Sequence, residues 1–176
     1  MAQTPNYYRD TCIFFAYLNN EVEKYGHLID HVEQYLDEAR QGLCTIYTST
    51  VTIAEIPAVR LSNDTYGTFT EFLEDYSGAI VQISGDPNVM VLASEIKGIV
   101  HTKGLGGRGE VSTLDAIHLA SVLMLSADYN VPVTAFHTFE TCASKALEGG
   151  RQMPLLGYET WCEGSRATLS SAASLR

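Results

Sequence analysis

LCTIYTSTVTIAEI, residues 43–56, changes character in the middle. Its first half, Leu43 to Ser49, is β-branched and aromatic, the composition of a strand. Its second half opens the stretch VTIAEIPAV, which reads as a short helix broken near Pro57. A strand passing directly into a helix is one βα unit, and the same alternation recurs on both sides. Upstream, residues 7–9 read as a strand ahead of Asp10 and the apolar run CIFFAYL. A helix is then predicted over about 21–39, because Val22, Tyr25, Ile29, Val32, Leu36 and Ala39 fall on one stripe, with Gly42 as its stop. Downstream come a helical pattern over 65–76, a strand at AIVQIS (79–84) and a helix from Asp86-Pro87 to about His101. KGLGGRGE (103–110) carries four glycines and reads as a mobile loop. Ser112-Thr113-Leu114-Asp115 has capping-box spacing before a helix from Ala116 to about Ala127, followed by a strand at VPVTAF (131–136) and a helix over about 139–147. Such alternation predicts an α/β fold, a three-layer sandwich around a central, mostly parallel sheet.

Composition sets outer bounds. The 176 residues suit one domain, here read as 1–164, with the small polar stretch 165–176 as a disordered tail. No apolar run approaches bilayer-spanning length, and the N-terminus has no signal-like pattern, so no membrane partner and a cytoplasmic location are expected. Four scattered cysteines without CxxC spacing read as buried free thiols. The net charge of −10 weighs against a purely electrostatic nucleic-acid binder. A cluster of acids that holds cations, however, reverses its own local sign.

Three acids, Asp10, Glu55 and Asp115, each lie beside a predicted strand end or helix start. In parallel sheets, ligands bind beyond the carboxyl ends of the strands. Asp10, Glu55, Asp115 and His137 can all reach that edge, and carboxylates converging there would hold a hard divalent cation. Asp10 and Asp115 are equally explained as helix caps. Glu55, flanked by Ile53, Ala54, Ile56 and Val59, reads instead as an acid on an apolar face. Thr11 is expected to satisfy a turn or to position a water or an acid, and Ser49 and Thr50 to cap a helix or contact substrate. Lys103 and Arg108 fit either a solvent loop or contacts to a nucleic-acid backbone. His27 and His31 lie opposite the apolar stripe of their helix and read as solvated, and His118 reads as a core or supporting histidine.

These segments also carry a resemblance. YYRDTCIFFAYL (7–18), TSTVTIAEI (48–56) and STLDAIHLASVLM (112–124) resemble, in order and spacing, the first three motifs of PIN-domain nucleases. The third is the most specific, and the likeness spans about residues 6–147. It implies a Rossmann-like fold and a metal-dependent ribonuclease in which Asp10, Glu55 and Asp115 bind Mg²⁺ or Mn²⁺ and hydrolyse RNA. Similarity to the VapC toxins further implies an antitoxin-like protein partner and a homodimer. The fourth motif departs from the family pattern: His137 stands where an acid is expected, with Glu140 one turn further on. Neutral imidazole ligates Mn²⁺ but suits Mg²⁺ poorly. That departure leaves a second expectation, a catalytically weak or inactive PIN-like domain acting as a binding or scaffold module.

Overall fold

The computed structural model describes residues 4–62, 64–97, 100–103, 107–110 and 112–139, the strands 100–103 and 107–110 by backbone course alone. Glu140, the helix expected over 139–147 and the tail 165–176 lie outside these residues, or all but their first residue does. Four strands, β1 (Asn6–Arg9), β2 (Thr45–Ser49), β3 (Ile80–Ile83) and β6 (Ala135–His137), form a sheet in the order β3-β2-β1-β6. All three pairings are parallel, as the alternation of strands and helices requires.

The strands are short and their residues alternate between two covered faces. Tyr7 points to one side and meets Tyr35 of helix α3 (Leu28–Arg40), ring centroids 4.8 Å apart. Tyr8 points to the other and meets His118 of helix α7 (Thr113–Ala127) at 5.9 Å. Helices on both faces make the expected three-layer α/β arrangement. The α3 side is filled by Ile13, Phe14, Val32, Leu36, Phe69 and Phe72, with helix α1 (Thr11–Leu18) and helix α5 (Phe69–Asp75) packed into it. The α7 side is filled by Val89, Ala93 and Ile96 of helix α6 (Pro87–Lys97) against Ala116, Leu119 and Ala120. The aromatic spacing over 66–76 was a core signal: Phe69, Phe72 and Tyr76 are all buried.

Several boundaries differ from those expected. The helix read over 21–39 is two, α2 (Val22–Tyr25) and α3, because Gly26 takes φ +57 between them. The helix expected to reach His101 ends at Lys97, Val100–Lys103 form strand β4 instead, and the supposed mobile loop holds strand β5 (Gly107–Glu110), paired antiparallel with β4. Val100 and Thr102 supply β-branched residues on one side of that ladder, and pairing overrides the low strand propensity of Gly107 and Gly109 on the other. Strand β6 starts late because Pro132 cannot join the ladder. Its carbonyl instead accepts from the Asn6 side chain at 3.0 Å.

The chain winds β1, β2, β3 in one direction and then crosses back to place β6 on the other side of β1. The reversal falls between β1 and β6, so their carboxyl ends form the crevice that such sheets use for ligands.

Candidate functional site

Asp10 is the first residue past β1. Its backbone N–H donates to the carbonyl of His137 (3.2 Å), extending the ladder by one step. It also caps α1: its Oδ1 accepts from the N–H of Cys12 at 3.1 Å and from the Cys12 thiol at 2.8 Å. The capping explanation and the functional one therefore hold for the same side chain. Burial raises the Asp10 pKa above its ordinary value, opposed by His118 and by hydrogen bonds from Cys12 and Thr138, while Asp115 adds to the rise.

Glu55 ends the short helix α4 (Val51–Glu55), whose placement is set by a ladder of hydroxyls. Thr48 Oγ1, fully buried, donates to the Arg9 carbonyl at 2.9 Å and lies 3.0 Å from Thr52 Oγ1. Thr52 Oγ1 in turn lies 3.3 Å from Thr11 Oγ1. Thr11 donates to Glu55 Oε2 at 2.5 Å, and His118 Nε2 lies 3.0 Å from the same oxygen. Burial pushes the Glu55 pKa up, but the hydrogen bonds from His118 and Thr11 outweigh it, and the carboxyl lies below its ordinary value. The apolar surroundings expected of Glu55 are only partial: Ile56 is buried, but Ile53 is 40% and Val59 90% exposed. Hydrogen bonding, rather than an uncompensated apolar setting, distinguishes this acid.

Asp115 stands in the first turn of α7, where negative charge suits the helix dipole. Ser112 Oγ accepts from the Asp115 N–H at 3.1 Å and donates to Asp115 Oδ2 at 2.6 Å. The capping-box spacing of the sequence is realised here, with the serine hydroxyl bonding back to the acid.

Asp10, Glu55 and Asp115 line one cleft of ≈ 280 Å³, together with Thr11, Cys12, Phe15, Glu21, Lys24, Tyr25, Arg60 and His118. Three segments far apart in sequence thus deliver their acids to the edge that the alternation implied. Among the described residues no three His, Cys, Asp or Glu side chains come close enough together to enclose a metal ion. The donors nonetheless fit a hard cation in kind. Glu55 Oε1 and Asp115 Oδ1 have no protein hydrogen bond among the described residues. Mg²⁺ is held through one or two carboxylates and keeps several waters, so it does not require an enclosing cage.

The other expected site residues fare differently. His137 is fully buried and does not line the cleft. It stacks on Tyr7 (4.9 Å) and lies 5.1 Å from the ring of Tyr35, on the α3 side of the sheet. Neither ring nitrogen has a partner among the described residues, and burial together with the nearby Arg9 lowers its pKa to about 3. A neutral imidazole turned to that face is no ligand for the cleft. The strand alternation that puts Tyr7 and Arg9 on the α3 side puts their partner His137 there too. Ser49 is also fully buried and accepts from the Val51 N–H at 3.3 Å, so it cannot touch substrate. Thr50 makes no capping bond and instead accepts from the Gly85 N–H at 3.1 Å. Lys103 and Arg108 lie on β4 and β5, and their side chains, like Glu140, fall outside the described residues. His27 and His31 are exposed, as their helical face implied.

Lys24 and Arg60 were not singled out in the sequence. Lys24 sits 4.7 Å from the Tyr25 ring centroid and 3.6 Å from Glu21, and Arg60 ends the turn Ala58–Arg60 after Pro57. Neither has a local motif, and only the folding of α2 and of the turn after α4 brings them to the cleft. No helix among the described residues is long and apolar enough to cross a membrane. No family model matches the chain, and no curated protein matches it.

Proposed function

We propose that this chain is a PIN-like, metal-dependent ribonuclease that hydrolyses RNA phosphodiester bonds. The observation that carries the reading is the meeting of Asp10, Glu55 and Asp115 on one cleft at the switch point of a parallel sheet. A divalent cation in such a place neutralises phosphate charge and lowers the pKa of water. The chain's own residues supply the rest. The three carboxylates provide hard oxygen donors, Thr11 and His118 fix Glu55, and Lys24 and Arg60 offer cationic contacts to a phosphodiester backbone. Cationic residues beside the acids also answer the objection from the net charge of −10, since local sign and total sign differ.

The motif resemblance supports the same reading and extends it to the toxin of a toxin–antitoxin pair, acting in the cytoplasm with an antitoxin-like protein and as a homodimer. Single-stranded RNA incubated with the purified chain and Mn²⁺ or Mg²⁺ tests the activity. Cleavage is expected, with a loss of at least about 100-fold in Asp10→Asn and Asp115→Asn, the scale of removing a major electrostatic contribution. No cleavage by the wild type across metals and RNA types would end the enzyme reading. Growth arrest on expression, absent in Asp115→Asn, tests the toxin role.

A second reading is favoured by one observation: the acids as they stand do not enclose an ion. In that reading the chain is an inactive PIN-like module that binds or scaffolds a partner. It predicts RNA retention without cleavage and no gain from added Mn²⁺.

A further inference from the structure

The cleft also holds an aromatic side chain that the hydrolysis itself does not use. Tyr25 ends α2, a single turn bracketed by two residues in left-handed backbone, Asn20 (φ 49) and Gly26 (φ 57). Phe139 stacks on the Tyr25 ring, with centroids 4.1 Å apart and planes 14° from parallel. Phe139 is buried, whereas Tyr25 is half-buried and lines the cleft beside Phe15. Packing thus fixes the tyrosine as a rigid aromatic at the cleft wall. Two exposed cations, Lys24 and Arg60, share the cleft with it. Lys24 Nζ lies 4.7 Å from the ring centroid and 3.6 Å from Glu21. An ion pair with its lysine 59% exposed holds that side chain weakly.

Cations beside an aromatic platform suit single-stranded nucleic acid, whose phosphates alternate with bases that have free π-faces. Building on the ribonuclease reading above, we propose that Tyr25 stacks an unpaired nucleobase while Lys24 and Arg60 hold the adjoining phosphates, so that the cleft discriminates single-stranded RNA from duplex. In a duplex the base is already stacked and paired, and bringing it to Tyr25 requires extruding it at a cost in unstacking. A volume of ≈ 280 Å³ lies just under the usual range of small-ligand pockets, room for a nucleotide and not for a double helix. Base–aromatic stacking also exceeds an exposed cation–π contact. Lys24 can therefore leave the ring for a phosphate when a base arrives.

Binding is measured apart from cleavage, by fluorescence anisotropy of labelled RNA with the full chain in EDTA. The probes are a short single strand, the same strand annealed to its complement, and a ribose–phosphate strand of equal length without bases. Wild type should bind the single strand about 10-fold more tightly than either of the others. Tyr25→Leu should lose about 10-fold on the single strand and nothing on the other two, whereas Tyr25→Trp keeps a stacking face and should stay within about threefold. Lys24→Met should lower the salt slope on the single strand by about one, and an unchanged slope would overturn its phosphate contact. Wild-type affinity of Tyr25→Leu for the single strand would overturn the stacking. Equal losses on all three probes would do the same, by marking a role in packing alone. Should circular dichroism show that Tyr25→Leu does not fold, the wild type decides: equal binding of the base-free and the base-bearing strand sinks the proposal. That result in a chain that still cleaves RNA leaves the ribonuclease reading standing. Discrimination as expected in a chain that cleaves nothing keeps the stacking site and ends the enzyme reading.

Discussion

The two faces of strand β1 handle polar groups in opposite ways. On the α7 side Tyr8 bonds His118, His118 bonds Glu55, and Glu55 opens onto the cleft. On the α3 side Arg9 and His137, both fully buried, leave Arg9 Nε and Nη2 and both His137 nitrogens without partners among the described residues. Among the described residues Arg9 reaches only the Val32 carbonyl at 3.5 Å and the Tyr35 ring, 5.5 Å from its centroid. One face arranges charge where a ligand can use it. The other buries its polar groups: Arg9 stays a cation although burial lowers its pKa to about 10, and burial together with Arg9 keeps His137 neutral by lowering its pKa to about 3. Adjacent residues of one strand thus differ in chemistry because successive side chains point to opposite layers.

The sharpest way to break this contrast is to remove one group from each face and measure Mn²⁺ binding and RNA cleavage. Glu55→Gln keeps the shape but removes the charge, and cleavage should fall by about 100-fold or more. His137→Phe should leave Mn²⁺ affinity within about threefold of wild type, because no loss of a ligand or of its supporting bond is involved. A loss in the histidine variant comparable to that in Glu55→Gln would place His137 in the site after all.

That contrast also marks what the sequence could convey. Alternating strand and helix patterns yielded the parallel sheet, and the arrival of Asp10, Glu55 and Asp115 at one cleft was legible because each sits at an element boundary. His137 was misassigned because it too follows a strand, and position along the chain does not reveal which face a residue takes when β6 has three residues. Lys24 and Arg60 were invisible for a different reason. Nothing local marks them, and their arrival at the cleft depends on how separate segments fold back. The glycine-rich 103–110 stretch misled because glycine count reports weak propensity, whereas pairing with Val100–Lys103 decides the outcome.

The second effect is on stability against pH. A histidine whose folded pKa lies near 3, against about 6.5 unfolded, contributes stability above pH 6.5 and loses it as pH falls toward 3. Between pH 7 and pH 5 the unfolded chain gains a proton that the folded one refuses, which costs about 2 kcal/mol. Urea unfolding at both values should show this drop in wild type. The drop should be smaller by that amount in His137→Phe. Equal pH dependence in the two proteins would mean that His137 titrates normally and that its face is wetter than its burial implies. Glu55 acts in the same direction at lower pH: its depressed pKa stabilises the fold above the ordinary carboxylate value, and that contribution is lost as pH falls below it.

Smaller still is the change expected at Arg9. A buried cation with unpaired N–H groups is a desolvation cost that an apolar side chain of similar length avoids. Arg9→Met gives up the Val32 contact and the attraction to the Tyr35 ring, the latter worth roughly 0.5–1 kcal/mol. The net gain in unfolding free energy should be about 1 kcal/mol. A loss of several kcal/mol would show that the guanidinium has an acceptor beyond the described residues.

A change of similar size but opposite sign belongs to Ser112, on the satisfied side. Its hydroxyl accepts from the Asp115 N–H and donates to Asp115 Oδ2, so one group serves both the helix end and the acid. Ser112→Ala should cost about 1 kcal/mol, the usual value of a helix cap. The loss should be independent of Mn²⁺ if the serine acts only on the helix. If it also restrains Asp115, Oδ2 becomes free for a cation, and added Ca²⁺ should recover part of the stability that Mn²⁺ does not. Urea unfolding with each ion separates the two cases. A Ca²⁺-specific recovery shows that the serine restrains Asp115 Oδ2, and its absence limits the serine to the helix end.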